Sequence, residues 1–298
     1  MTEPRLSDPL PLGGGDGNGL PYSRGLMARA LMAAGVAAVR AYELAQRVQD
    51  DLTASGEEIV DLDRLEELAQ EVLGENEGTQ AIRRLRRYDS LRDFELPIIL
   101  LIGGATGTGK STVATEVAYR LGITRVTSTD FVRQTMRAFL TREFMPSIHY
   151  SSFEVPSEDE LGDVVTGFVE QTRNVLIGVR ALIERALQEG WSLVLEGVHL
   201  VPGMLPPVEG AMVVHCVLAI EDEELHEAHF WVRDSHSEGL RPVQKYLDAL
   251  GDIRLLQDFI VERARSSGVP VVENASIELS IGTVMELVLT EAERFAKV

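Results

Sequence analysis

Ile98-Ile99-Leu100-Leu101-Ile102-Gly103-Gly104-Ala105-Thr106-Gly107-Thr108-Gly109-Lys110-Ser111-Thr112 begins as an unbroken apolar run and then turns abruptly to glycine. Continuous apolarity, in place of alternation, marks a strand buried on both faces. From Gly104 to Ser111 the spacing is G-x-x-x-x-G-K-[ST], and Thr112 through Leu121 continues with the period of a helix. Strand, glycine-rich turn and helix in that order suit a phosphate cradle. The glycines let the backbone curl so that amide hydrogens converge on anionic oxygens, and the helix adds the positive end of its dipole. The residues expected to line it are Gly104, Ala105, Thr106, Gly107, Thr108, Gly109, Lys110, Ser111 and Thr112. Lys110 brings a point charge to the β- and γ-phosphates, and Ser111 a hydroxyl for Mg²⁺.

Outward from the cradle, short apolar or β-branched runs recur at Pro97–Ile102, Arg125–Ser128, Ser192–Leu195, Met212–Ala219 and Val269–Val272. Helical stretches separate them, at Ser111–Leu121, Leu161–Glu189 and Arg241–Ser266. Strands alternating with helices predict an α/β fold, a parallel sheet flanked by helices. Upstream, residues 21–94 read as a small helical domain with helices near Ser23–Leu73 and Thr79–Tyr88; Asp61 is placed to cap the one running to Leu73. The arginines at 83, 84, 86 and 87 read first as a solvated helix face with acidic neighbours, and otherwise as contacts to bound phosphate or to the acidic face of the next domain. Residues 1–20, rich in glycine and proline from Pro9 to Gly19, read as a flexible arm, which leaves 95–298 for the cradle-bearing domain.

Composition narrows the partners. With 28 Lys plus Arg against 47 Asp plus Glu, the net charge is −19. Such a surface repels nucleic-acid backbones and anionic lipid, so a phosphorylated ligand must meet a local basic pocket. One cysteine forms no intrachain disulfide and suits a reducing compartment. No apolar run approaches the roughly 18 residues of a membrane span, and Met1–Arg5 lacks a signal peptide's regions. The expectation is a cytoplasmic protein acting on a small anionic molecule, with neither nucleic acid nor membrane as partner.

The acceptor of the phosphoryl group must come from elsewhere in the chain. Asp130 follows the second strand, where strand ends border the ligand crevice of an open α/β sheet. Arg133 and Arg137 lie four apart on the helix that follows. A carboxylate that accepts a hydroxyl proton, beside guanidiniums that clamp an anion, is a receptor for an anionic alcohol. Asp130 acting only as a helix cap is the plainer alternative. Glu196 ends the third strand before Gly197 and is expected to orient Mg²⁺. His199 either meets substrate phosphate or satisfies a loop carbonyl. Between the fourth and fifth strands, Arg233 or Arg241 is the expected cation of a closing lid. His226-Glu227-Ala228-His229 has its histidines three apart rather than four and is not read as a metal site.

Taken together these residues resemble the 2-phosphoglycerate kinase family of P-loop kinases. The likeness is carried by Gly103–Thr112, Ser128-Thr129-Asp130 with Arg133 and Arg137, and Pro146 through Phe153. It continues in Leu195-Glu196-Gly197-Val198-His199, Arg241-Pro242 to Tyr246 with Ile253-Arg254, and Val269 through Asn274. The resemblance implies transfer of the γ-phosphoryl group of ATP to 2-phosphoglycerate, with Mg²⁺, and adds His149, Ser151 and Ser152 to the acceptor site. One departure is His229-Phe230 where the family tends to carry Arg-Phe. The helices before residue 73 also resemble an ATP-cone, with the Gly/Pro-rich arm in place of its leading basic hairpin; that region could equally dimerise the chain or cover its neighbour. Two other readings stay open. One is a kinase of another phosphorylated metabolite, such as a polyol phosphate. The other is a nucleotide-dependent switch with little transfer activity.

Overall fold

The computed structural model describes residues 22–57, 60–89, 96–156, 163–205, 207–237 and 243–295. The arm expected over 1–20, and Arg241, lie outside them. The chain divides into two compact units: Leu96–Ala118 with Thr124–Val284, and the N-terminal residues up to Glu95 with Tyr119–Ile123 and the residues from Met285.

The larger unit is built on five parallel strands: β1 (Ile98–Gly103), β2 (Val126–Ser128), β3 (Leu193–Glu196), β4 (Met212–Ala219) and β5 (Val271–Glu273). Their order across the sheet is β2-β3-β1-β4-β5. The run that opened the sequence reading is therefore the central strand, and every residue of it is buried. Register decides where the chemistry sits. Ile102 pairs with Glu196, and Glu196 with Ser128. The ends of β1, β3 and β2 are thus level, and the cradle, Glu196 and the turn into Asp130 leave the sheet along one edge.

Helices α5 (Lys110–Leu121), α6 (Thr129–Phe139), α7 (Val164–Gln188), α8 (Glu223–Ser237), α9 (Val243–Asp248) and α10 (Leu250–Ser266) connect the strands, with a 3-10 turn at Pro146–His149, and α11 (Ile277–Phe295) follows β5. Ile99, Leu101, Leu193 and Leu195 pack with Val132, Val175, Val179 and Ile183 from α6 and α7. Val201 and Val217 pack with Ile253, Leu256 and Ile260 of α10. Burying one such side chain contributes about 1.5–3 kcal/mol, so these two clusters dominate what holds the sheet. The helix expected over Arg241–Ser266 is two helices, broken at Ala249, which has φ −101°, ψ 10° and no side-chain cap. Val243, Tyr246, Leu247 and Leu250 keep helical spacing through the break and all pack on one cluster, so periodicity alone reads as a single helix.

The other unit holds α1 (Arg24–Ala33), α2 (Ala38–Ser55), α3 (Leu62–Leu73) and α4 (Glu75–Asp89). Asp61 caps α3, its carboxylate accepting from the Arg64 amide at 2.7 Å. Of the apolar residues spaced at helical period, Leu31, Val36, Leu44 and Val48 are buried with Leu65, Leu68, Ile82 and Leu85, whereas Leu26 is half-buried and Val39, in the first turn of α2, is exposed. Two of the four arginines of α4 have acidic neighbours: Arg86 lies near Glu66, and Arg87 pairs with Glu286 and Glu293. No helix among the described residues is long and apolar enough to cross a membrane.

Candidate active site

The turn between β1 and α5 is held from several directions. Ala105 O accepts from Lys110 Nζ at 2.6 Å and from Thr108 Oγ1 at 2.9 Å. The next three carbonyls, of Thr106, Gly107 and Thr108, accept from His226, His229 and Asn274. Lys110 is buried, which pulls its ammonium below the ordinary range, while the Glu196 and Asp130 carboxylates pull the other way. Lys110 and Asp130, expected to be catalytic, therefore share one electrostatic neighbourhood with Glu196, expected to orient the metal.

Ser111 opens α5 with its hydroxyl donating to Glu196 Oε1 at 2.9 Å. The two oxygens stand together at the edge of the cradle. They suit Mg²⁺, which keeps several waters and takes one or two protein oxygens along with substrate phosphates. No cluster of three or more His, Cys, Asp and Glu among the described residues could form a protein-only cage.

Asp130 is not the cap of α6. Ser128 is, accepting from the Phe131 amide at 3.0 Å, and this leaves the Asp130 carboxylate exposed in the first turn. Arg133 reaches Asp130 at 3.3 Å but commits Nη1 to the carbonyls of Ile148 and Tyr150, at 3.0 and 2.8 Å. Arg137 donates to Gln134, and its Nε is buried with no hydrogen-bond partner. The ring of His149 turns to Leu140 O at 3.0 Å. Ser151 accepts from Lys245, and Ser152 is buried.

His199 lies under this region, fully buried. Its Nε2 meets Gln171 Oε1 at 2.9 Å, and the Gln171 amide nitrogen donates to Ser147 O and Tyr150 O. Gln171 Oε1 can only accept, so the His199 proton sits on Nε2 and Nδ1 accepts from Thr129 Oγ1 at 2.9 Å. Burial pushes the imidazole down to about 4. Both ring nitrogens are taken by protein groups. Gly197 makes the arrangement feasible: at φ +151° a Cβ there would stand 1.9 Å from Thr129 Oγ1.

The backbone of Arg233 falls in α8, but its side chain, like all of Arg241, is outside the described residues. Sequence reasoning missed Gln171, Lys245, Asn274 and the use made of His226. Only His226 and His229 left a signal, a pair three apart on one helix face.

A central parallel strand running into a glycine cradle, a helix begun by Lys110 and Ser111, and an acid ending the neighbouring strand define a P-loop kinase. The chain is 36% identical over 287 residues to a 2-phosphoglycerate kinase of Pyrococcus horikoshii, covering 95% of this chain and 94% of that one. It is 36% identical over 278 residues to the one of Thermococcus kodakarensis, covering 92% and 94%. It belongs to the 2-phosphoglycerate kinase family, and it is a phosphotransferase. The enzyme of Methanothermobacter thermautotrophicus is 37% identical over 274 residues, covering 89% of each chain. No protein-family model matches. Among solved structures, a shikimate kinase from Acinetobacter baumannii in complex with shikimate aligns with a TM-score of 0.40 and 20% identity, over 66% of this chain and 96% of that one.

Proposed function

We propose that the chain transfers the γ-phosphoryl group of ATP to the free hydroxyl of 2-phosphoglycerate, giving ADP and 2,3-bisphosphoglycerate. The observation that carries this reading is identity of 36% to a named 2-phosphoglycerate kinase over nearly the whole of both chains. The strand-end geometry supports it by bringing a phosphate cradle and an exposed carboxylate to one edge of the sheet.

In this reading the amides from Gly104 to Ser111 and the Lys110 ammonium hold the triphosphate. Ser111 and Glu196 offer the oxygens for Mg²⁺, which when bound neutralises charge on the β- and γ-phosphates. Asp130 takes the proton of the acceptor hydroxyl as its oxygen bonds to the γ-phosphorus and the bond to the β,γ-bridging oxygen breaks. Arg137 of α6 meets the acceptor's anion together with His149, Ser151 and Ser152, which lie in or beside the segment that Arg133 and Gln171 hold in place. Arg233 or Arg241 supplies charge over the transferring group. Positioning and charge stabilisation do most of the work, because the transition state of phosphoryl transfer is loose.

The test is a coupled ADP assay with 2-phosphoglycerate and with 3-phosphoglycerate. ADP release should require 2-phosphoglycerate and fall about 10²–10⁴-fold in Asp130→Asn, the range for a lost general base. ATP hydrolysis that ignores the acceptor and is the same in Asp130→Asn would make the chain a nucleotide switch instead.

A further inference from the structure

Three consecutive carbonyls of the cradle accept hydrogen bonds from side chains remote in sequence. His226 Nε2 lies 2.8 Å from Thr106 O, His229 Nδ1 lies 3.0 Å from Gly107 O, and Asn274 Nδ2 lies 2.9 Å from Thr108 O. In a trans peptide the carbonyl and the following N–H point opposite ways. Pinning these carbonyls to α8 and to the end of β5 therefore turns the amides of Gly107, Thr108 and Gly109 to the other side. We infer that His226, His229 and Asn274 are positioning residues that preset the cradle's amides for the nucleotide's phosphates. This rests on the nucleotide-binding reading above and adds to it which residues outside the motif give the motif its shape.

Two of the three tethers are themselves fixed. Asn274 is buried, and its Oδ1 accepts from Ser280 Oγ at 2.7 Å, so the amide nitrogen must face Thr108. His226 is fully buried and stacks on Phe230, with ring centroids 5.4 Å apart; Phe230 stacks in turn on Tyr246 at 5.2 Å. The Phe230 ring comes so near the cradle that a Cβ on Gly107 would lie 2.5 Å from it. His226 Nδ1 is buried with no hydrogen-bond partner, so the ring is oriented for the one bond that Nε2 makes. Burial, with the Arg254, His229 and Lys110 charges nearby, keeps this imidazole below its ordinary pKa despite the bond to Thr106.

The experiment is calorimetric titration of ADP into the full chain with paired variants. His226→Leu and His229→Leu remove the donor. His226→Gln places an amide nitrogen near the old Nε2, and His229→Asn near the old Nδ1. Each leucine variant should weaken ADP about tenfold, the typical loss for one hydrogen bond. Each amide variant should recover to within about threefold, and the KM for the acceptor should not move. Equal losses in the leucine and amide variants would mean that the rings act by packing, and unchanged ADP affinity in all four would also overturn the inference. A wild type that binds no ADP overturns both this and the nucleotide reading. Tight ADP binding without turnover of 2-phosphoglycerate removes only the proposed acceptor.

Discussion

The nucleotide side of the site and the acceptor side are made of different material. Between Gly104 and Ser111 the groups proposed to face the ligand are backbone amides, and the buried His226 and Asn274 with the half-buried His229 hold the carbonyls behind them. From Asp130 to Ser152 the groups proposed to face the acceptor are side chains, and the backbone is what is held: Arg133 and Gln171 together fasten the carbonyls of Ser147, Ile148 and Tyr150. A polyphosphate is the same in every NTP-using enzyme, so a backbone mould suffices for it. An acceptor must be told from its isomers, which needs particular side chains on a segment kept in register.

The largest expected effect breaks the comparison on its nucleotide side. Lys110→Ala should lower kcat about 10³-fold, the scale for losing a preorganised charge at the transition state. The thermal midpoint should not fall, because the ammonium is already penalised by burial. A loss of folding equal to the loss of rate would make Lys110 a structural residue.

Acid should separate the two sides. His199 and His215 each have a folded pKa of about 4 against an ordinary 6.5, both chiefly from burial. Between those values the unfolded chain binds more protons than the folded one. Stability is thus complete above about pH 6.5 and declines as pH falls toward 4, by roughly 3 kcal/mol for each ring. Protonated His226 would still donate to Thr106, whereas protonated His199 can no longer accept from Thr129. Urea midpoints from pH 7 to 4.5 should therefore drop less steeply in His199→Gln than in the wild type; equal slopes would refute the assignment.

What was legible in the sequence was local. The burial of β1, the cradle, the Asp61 cap and the placing of Asp130 and Glu196 at strand ends follow from patterns within a few residues. The holding groups were not legible. His226 and His229 are 120 and 122 residues from the carbonyls they bind, and Asn274 is 166 away. Gln171 sits inside a 25-residue helix whose period reports its apolar face alone. Arg133, read as a clamp for substrate, gives its Nη1 to two carbonyls, a use that only the return of the Pro146–His149 turn toward α6 makes available.

Arg133→Ala should act on the acceptor side alone. It removes two charge-assisted bonds from the segment, and about 10–100-fold in acceptor KM is expected, with ADP affinity unchanged. Arg133→Lys should rescue it only in part, since one ammonium at the place of Nη1 could meet the Ile148 and Tyr150 carbonyls but would not also keep the Nε and Nη2 contacts to Asp130. A matching loss of ADP affinity would show that the two sides are coupled.

Lys245→Ala is the smallest and the sharpest test of where the acceptor side ends. Its ammonium lies 3.1 Å from Ser151 Oγ and 2.8 Å from Glu154 Oε2. Burial alone would raise the Glu154 carboxyl, yet Lys245 and Ser151 bring it below its ordinary value. Lys245 and Glu154 are both more than 40% exposed, so water and salt screen the pair, and exposed pairs contribute under about 1 kcal/mol. As a strap on the segment, Lys245 should change acceptor KM by threefold or less on truncation, and the change should vanish in concentrated salt. A tenfold rise that persists in salt would instead place the ammonium on the acceptor's own anion and extend the acceptor side to α9.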